Sequence, residues 1–202
     1  MSDFDRELSE AARALPATGP SLEVLASVAA RAQDEDLLDV AYTQVDSPLG
    51  PLTVAATHRG LVRVAYPDRP LDAVLERLAE AVSPRILEAP ARLDPIRREL
   101  EEYFEGRLRR FDTPIDWALS RGFFRRVLEV TADIEYGHVL TYSEVAAKAG
   151  SARAVRATGN GLGSNPMPVV VPCHRVVRTG GGLGGYTGGI ERKEFLLGLE
   201  RG

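Results

Sequence analysis

The sequence predicts an α+β protein in which a small domain of strands and helices precedes a mostly helical domain. Short β-rich runs, separated by turn residues, occupy 42–66. Two segments with apolar residues spaced by three and four follow at 71–81 and 91–105, and the later periodic segments are helical. We therefore expect an N-terminal segment at 1–39, an α+β domain at 40–117 and a helical domain at 118–202.

The first 39 residues form an appendage whose role the sequence does not reveal. Acidic residues cluster at both of its ends. A Pro/Gly break in its middle is followed by a short amphipathic pattern, which predicts a helix at about 21–33.

The strands of the first domain are expected to form a hairpin or a meander. The predicted strands are 42–45, 52–57 and 61–66. The turns between them contain Pro48, Gly50 and Gly60, residue types that favour chain reversal. Segment 106–117 contains Pro114 and is expected to be a linker or a final strand.

Helices dominate the second domain. They are expected at 123–134, 141–149 and 151–161. Thr141 and Glu144 form a capping-box pattern at the start of the second helix. Gly150 ends that helix, and Ser151 is a candidate cap for the next. Two short helices joined by a glycine turn indicate either a helix-turn-helix or an ordinary helical hairpin.

Composition sets broad limits on the function. The chain has 202 residues, 44% of them hydrophobic, with no long apolar run and an acidic N-terminus unlike a secretion signal. A single cysteine cannot form an internal disulfide, so a cytoplasmic location is expected. Residues 1–112 carry 14 Arg and Lys against 21 Asp and Glu, whereas residues 113–202 carry 11 against 8. The mildly basic half fits a polyanionic partner, and equally an ordinary solvated surface.

Cys173 lies in the most informative stretch, NPMPVVVPCHRVV at 165–177. Three valines between two prolines suggest a short buried extended segment. Cysteine acts as a nucleophile through its thiolate, and the free side chain has a pKa of about 8.5. Adjacent residues of an extended chain point to opposite sides, so His174 would reach the thiol through a turn or a bridging water. The thiol is either a buried small hydrophobic group or a nucleophile.

The order of these motifs resembles the O6-alkylguanine-DNA alkyltransferase family. The likeness covers about 40–200 and rests on five segments: YGHVLTYS (136–143), AVRA (154–157), NPMPVVVPCHRVV (165–177), GGYTGG (184–189) and RKEFLLGLE (192–200). It implies an RNase H-like N-terminal domain and a C-terminal domain with a winged-helix-like helix-turn-helix. It also implies direct repair of O6-alkylguanine, with O4-alkylthymine as a further candidate substrate, by irreversible transfer of the alkyl group to the protein, once per molecule.

The resemblance gives each catalytic candidate a role. Cys173 accepts the alkyl group, His174 acts as the base through a water, and Glu200 orients the imidazole. Asn165 braces the helix-turn-helix against the cysteine segment, and Arg175 is interpreted as a buried salt-bridge donor. From the residues alone, Glu200 could equally be an exposed C-terminal acid, and His174 a satisfied core histidine.

The substrate also requires groups that expose the base. O6 of guanine is paired inside the duplex, so the nucleotide must be flipped out, at a cost of about a few kcal/mol. By resemblance, Arg156 enters the stack in its place and Tyr142 rotates the 3′ phosphate. The second helix would lie in the minor groove, which carries little sequence information. A solvated helix arginine and a core tyrosine are the ordinary alternatives.

The flipped base needs a pocket, and the segment 180–189 has seven glycines in ten residues. Glycine allows close approach of the backbone to a ligand. By resemblance, Tyr186 donates to the purine ring, Thr187 is a further binding residue, and the backbone near Val176 reads the exocyclic amine. A flexible linker is the alternative interpretation.

No cofactor and no metal are expected. Some relatives carry zinc in the N-terminal domain, but this chain has one cysteine and three histidines. The expected partner is double-stranded DNA with an alkylated guanine. We expect no membrane association and no obligate protein partner, and therefore a monomer.

Three other functions remain open from the sequence. The chain could bind alkylated DNA without repairing it, act as a thiol hydrolase through Cys173 and His174, or read an operator as a transcription factor. The presence of Cys173 argues against the first. A hydrolase would turn over, with a burst followed by steady product release. The family's bifunctional sensors carry extra domains with more cysteines than this chain has.

Overall fold

The computed structural model describes residues 38–202. The appendage helix expected at 21–33 lies outside the described residues. Within them, the predicted α+β class and its division into a sheet-containing part followed by a helical part are confirmed.

A four-stranded sheet forms the first part. Its strands are β1 (Val40–Val45), β2 (Leu52–Thr57), β3 (Gly60–Ala65) and β4 (Ile86–Glu88), in the order β3-β2-β1-β4. Adjacent strands are antiparallel except β1 and β4, which run parallel. The predicted meander is thus correct, with β1 beginning two residues earlier than expected.

Two helices accompany the sheet, α1 (Leu71–Ala81) and α2 (Asp94–Phe104). Val74 and Leu78 of α1 share a core with Val40, Ala55 and Val62 of the sheet. The expected helix at 91–105 begins with a separate 3₁₀ turn, Pro90–Leu93, before α2. Segment 106–117 is a linker, and within the described part of the chain it meets the sheet in an isolated bridge between Leu61 and Ile115.

Four helices build the second part: α3 (Gly122–Ala132), α4 (Tyr142–Lys148), α5 (Val155–Gly163) and α6 (Ile190–Leu199). Strands β5 (Leu140–Thr141) and β6 (Val176–Val177) pair in parallel. The predicted capping box is present, since Thr141 accepts from the Glu144 backbone and Glu144 accepts from the Thr141 backbone. Helices α4 and α5 form the predicted helix-turn-helix.

Two local predictions were wrong. Ser151 does not cap α5 through its side chain: the N-cap is Ala154, whose N–H donates to the Ser151 carbonyl (2.9 Å) in a turn ahead of the helix. The valine segment before Cys173 is buried but turns instead of extending. Val169 has φ 76°, a conformation that strains a β-branched residue, and the Val171 N–H donates to the Met167 carbonyl (2.8 Å).

Asn165 holds this turn in place. Its side-chain oxygen accepts from the Met167 N–H (3.0 Å), and its amide donates to the Val171 carbonyl (2.8 Å). A buried turn must satisfy its backbone groups internally, which one asparagine does here at both ends.

The part of the chain at 38–202 contains no helix with the length and apolar character needed to cross a bilayer.

Candidate active site

Cys173 begins a single 3₁₀ turn, Cys173–Arg175, that follows the buried valine turn. Cys173 is 4% exposed, and the side-chain amide of Asn165 donates to its Sγ (3.1 Å). Burial raises the pKa of the thiol to about 11, although the Asn165 hydrogen bond lowers it. At neutral pH the resting side chain is therefore a protonated thiol, and a nearby base must accept its proton before it can attack.

A cavity of about 830 Å³ opens above the thiol. Its lining includes five residues singled out from the sequence: Cys173, Tyr142, Arg156, Tyr186 and Thr187. These five residues, a nucleophile, two tyrosines, an arginine and a threonine, come from four separate segments of the chain. The cavity can admit a flat organic group to the sulfur.

His174 and Glu200 form a buried pair beside the thiol. Nε2 of His174 lies 2.8 Å from Oε1 of Glu200, and both side chains are almost fully buried. Burial lowers the pKa of His174, while the contact with Glu200 opposes that shift. Nδ1 of His174 is buried and has no hydrogen-bond partner among residues 38–202. The carboxylate of Glu200 thus holds Nε2 of the imidazole, and Nδ1 is left available to accept a proton.

Glu200 is the most heavily bonded acid in the described part of the chain. Arg175 donates through Nε (2.9 Å to Oε2) and Nη2 (2.9 Å to Oε1), and also to the Ile134 carbonyl. The hydroxyl of Tyr103 donates to Oε1 (2.6 Å), and the Gly137 N–H to Oε2 (3.2 Å). Burial alone would raise the pKa of Glu200, but the bonds from His174 and Arg175 hold it at about 2. The structure therefore places Arg175 as the buried salt-bridge donor expected from the sequence.

The glycine-rich segment is a shaped wall of the cavity. Gly184 has φ 71°, and a Cβ there would lie 2.7 Å from the Tyr142 hydroxyl, which donates to the Gly185 carbonyl (3.2 Å). Thr187 donates to the Leu162 carbonyl near the end of α5 (3.1 Å). These contacts join the segment to both helices of the helix-turn-helix, so the linker interpretation does not hold.

Arg156 is the second residue of α5 and is exposed at the cavity mouth. Tyr142 is the first residue of α4 and is half-buried. The two helices therefore present a cation and an aromatic hydroxyl on the same rim. Val176, by contrast, is buried in β6, and its carbonyl accepts from Lys193 (2.6 Å).

Three residues at the site were not predicted from the sequence. Lys193 is fully buried, donates to the Val176 and Leu183 carbonyls, and has its pKa lowered to about 8 by burial. Tyr103, on α2, reaches Glu200 from the first part of the chain. Tyr66, just after β3, pairs its hydroxyl with that of Tyr186 (2.6 Å). Lys193 lies inside a quoted motif, but no local pattern marks either tyrosine.

Comparison with known proteins covers both parts of the chain. A model described as "6-O-methylguanine DNA methyltransferase, ribonuclease-like domain" matches residues 40–117, and one described as "6-O-methylguanine DNA methyltransferase, DNA binding domain" matches residues 122–202.

Individual relatives agree with the family models. A "methylated-DNA--protein-cysteine methyltransferase" of Mycolicibacterium paratuberculosis is 38% identical over 162 residues, 80% of this chain and 93% of the relative. An inducible protein of that description from Bacillus subtilis is 36% identical over 149 residues, 73% of this chain and 83% of the relative. The crystal structure of Mycobacterium tuberculosis OGT in complex with DNA has a TM-score of 0.67 and 35% identity to this chain, covering 80% of this chain and 92% of that one.

Proposed function

Because the chain belongs to the 6-O-methylguanine DNA methyltransferase family, we propose that it removes alkyl groups from O6 of guanine in DNA onto Cys173. The reaction is a methylated-DNA–protein-cysteine methyl transfer. The acceptor is part of the protein, and a thioether has no leaving group that water readily displaces, so each molecule acts once. A protein that only binds alkylated DNA is not favoured, because the acceptor thiol is present.

The observation that carries this proposal is the position of Cys173. Its sulfur lies at the base of a cavity of about 830 Å³. The next residue in the chain, His174, forms the buried pair with Glu200. A structural cysteine would be sealed on all sides by apolar groups. This one receives a hydrogen bond from Asn165 and faces open space.

The proposed chemistry begins with loss of the thiol proton. His174 accepts it at Nδ1, the unpartnered nitrogen, through a bridging water, while Glu200 stabilises the imidazolium through Nε2. Sulfur then bonds to the alkyl carbon, the C–O6 bond breaks, and its electron pair remains on guanine. In this scheme Asn165 orients the sulfur, and the bonds from Arg175 and Tyr103 keep Glu200 ionised.

DNA is the proposed partner, bound through the helix-turn-helix. The DNA complex of the M. tuberculosis relative supports DNA as the partner, and the match of residues 122–202 to a DNA binding domain supports this part of the chain. Arg156 on the rim would fill the space left by the flipped guanine, and Tyr142 would turn the phosphate. Tyr186 and Thr187 line the proposed base pocket. We propose that the backbone near Val176 binds the exocyclic amine of guanine. Lys193 donates to the Val176 carbonyl and so fixes the position of this backbone.

The domain division, assembly and location follow as proposals. We assign the boundary between the two domains to 117/118, at the 3₁₀ turn Trp117–Leu119. Since one chain supplies every group of the proposed site, a monomer is sufficient. A single thiol that must remain reduced, acting on DNA, fits the cytoplasm.

A titration tests the proposed function. Protein mixed with excess duplex containing O6-methylguanine should repair no more than one equivalent, and mass spectrometry should find one added methyl group on the Cys173 peptide. Repair well beyond one equivalent would indicate a hydrolase that turns over. Tight binding with no mass gain would indicate a recognition protein.

Glu200→Gln should move the rising limb of the pH–rate profile to higher pH by about one unit, which corresponds to about 1.4 kcal/mol. The carboxylate favours the imidazolium that forms when His174 takes the thiol proton. Without that charge, and with Arg175 still nearby, proton transfer needs a higher pH. The rate should be measured with free O6-benzylguanine, so that DNA binding does not enter.

Glu194→Gln is the matched control, because Glu194 is an exposed acid on α6, the helix that Glu200 directly follows. Its profile should coincide with that of the unmodified protein. A Glu200→Gln profile that also coincides would remove Glu200 from the proton path. Thermal melting of each variant separates this effect from loss of the fold, since Arg175 loses its anionic partner.

A further inference from the structure

Tyr66 is a residue of the first part of the chain that reaches the wall of the cavity. Its hydroxyl lies 2.6 Å from the hydroxyl of Tyr186, and the two rings meet edge to face with centroids 6.3 Å apart. Tyr186 lines the cavity that contains Cys173, whereas Tyr66 lies behind it and is 4% exposed. The hydroxyl of Tyr66 thus reaches the site through the hydroxyl of Tyr186.

Close packing holds the ring of Tyr66. The guanidinium of Arg192 lies 4.5 Å from the ring centroid, and Asp68 holds that guanidinium by an ion pair (2.7 Å). The backbone of Gly188 also lies so close to the ring that a Cβ there would clash with it. These contacts hold the ring in addition to the hydroxyl bond to Tyr186.

The hydroxyls of Tyr66 and Tyr186 carry two protons, but the hydrogen bond between them needs only one. Burial raises the pKa of both tyrosines, so both are protonated at neutral pH. For either hydroxyl, the structure of residues 38–202 records no hydrogen bond other than the one between them. One proton makes that bond, and the second is left over.

The surroundings decide which hydroxyl keeps the spare proton. On Tyr66 it would be an unsatisfied buried donor, which is unfavourable. Tyr186 lines the cavity, so a ligand or water that enters there can accept the proton. The favoured arrangement has Tyr66 donating to Tyr186 and Tyr186 donating into the pocket.

We propose that Tyr66 is a positioning residue for alkyl transfer, one that donates to the Tyr186 hydroxyl and so directs the Tyr186 proton to a ring nitrogen of the flipped guanine. This rests on the proposed function. As the Cys173 sulfur bonds to the alkyl carbon, the electron pair of the broken C–O6 bond passes to the purine and its ring nitrogens become more negative. A donor chain strengthens its last hydrogen bond as that charge develops.

Paired substrates and variants test the chain of donors. Single-turnover rates should be measured with duplexes containing O6-methylguanine, its 3-deaza analogue or its 7-deaza analogue, each analogue replacing one ring nitrogen by C–H. Tyr66→Phe keeps the ring and its Arg192 contact. It should slow transfer from O6-methylguanine about three- to tenfold, the loss expected for one neutral hydrogen bond. One analogue should lack the nitrogen that accepts from Tyr186, and with it Tyr186→Phe should no longer slow transfer. With that same analogue, Tyr66→Phe should no longer slow transfer either.

Two further comparisons complete the test. Tyr66→Phe combined with Tyr186→Phe should be no slower than Tyr186→Phe alone. Tyr42→Phe, a half-buried tyrosine of β1 packed against the sheet core, is the matched control and should react like the unmodified protein.

Equal slowing by Tyr66→Phe on all three substrates, or a double variant slower than Tyr186→Phe, would overturn the inference and leave Tyr66 a packing residue. Failure of the proposed function gives a different result, since the unmodified protein would then not methylate Cys173 with any substrate. Melting temperatures close to that of Tyr42→Phe would show that the fold is intact.

Discussion

Replacing Cys173 by alanine is expected to abolish alkyl transfer completely while DNA binding stays nearly unchanged. The chain has no other cysteine that could accept the alkyl group. The substitution removes one buried atom at the base of the cavity and nothing from the exposed rim. The Asn165 amide keeps its bond to the Val171 carbonyl (2.8 Å), and its other N–H loses the sulfur as acceptor.

Intact mass after incubation with methylated duplex measures the transfer, and fluorescence anisotropy with the same duplex measures binding. Cys173→Ser is the companion variant: it restores an acceptor for Asn165, but a hydroxyl is a far weaker nucleophile than a thiolate, so it should also be inactive. A methyl group found on the alanine variant would assign the acceptor to another residue. Loss of binding together with transfer would mean that the thiol supports the fold.

Sequence reasoning succeeded where a pattern records a local interaction. The capping box joins Thr141 to Glu144 within one helical turn, so both residue types and their spacing are visible in the chain. The prediction that Ser151 caps α5 was wrong because capping depends on how the chain enters the helix. Here a turn precedes Ala154, which is the N-cap. The valine segment failed because the Asn165 side chain bonds both of its ends and imposes a turn on residues that favour strands.

The candidate site divides in the same way. The proximity of Cys173 and His174 is a matter of sequence, and Glu200 was identified only through the resemblance. Tyr103 and Tyr66 bond to partners 97 and 120 residues away, contacts that only the assembled fold creates. Both come from the first part of the chain, so that part completes the hydrogen bonding of the site as well as supporting it.

Arg156→Ala and Tyr142→Ala are expected to slow transfer from duplex DNA about a hundredfold, if the two groups relieve about 3 kcal/mol of the cost of flipping. Arg156 is exposed on α5 at the cavity mouth, where a side chain can enter the base stack, and Tyr142 faces it from the start of α4. The same variants should lose far less rate with free O6-benzylguanine, because a free base needs no flipping. Duplexes that carry O6-benzylguanine keep the leaving group identical in the two assays.

The ratio of the two rates isolates flipping from other effects. Rates taken at saturating duplex are insensitive to weaker binding, so a lost charge alone should not lower them. Arg153→Ala is the matched control for that charge, since Arg153 is an exposed arginine just ahead of α5 that does not line the cavity. Tyr142→Phe separates the hydroxyl, which bonds to Gly185, from the ring that packs against Gly184. Equal losses on duplex and free base would show that Arg156 or Tyr142 shapes the pocket, because a flipping residue must act on the duplex alone.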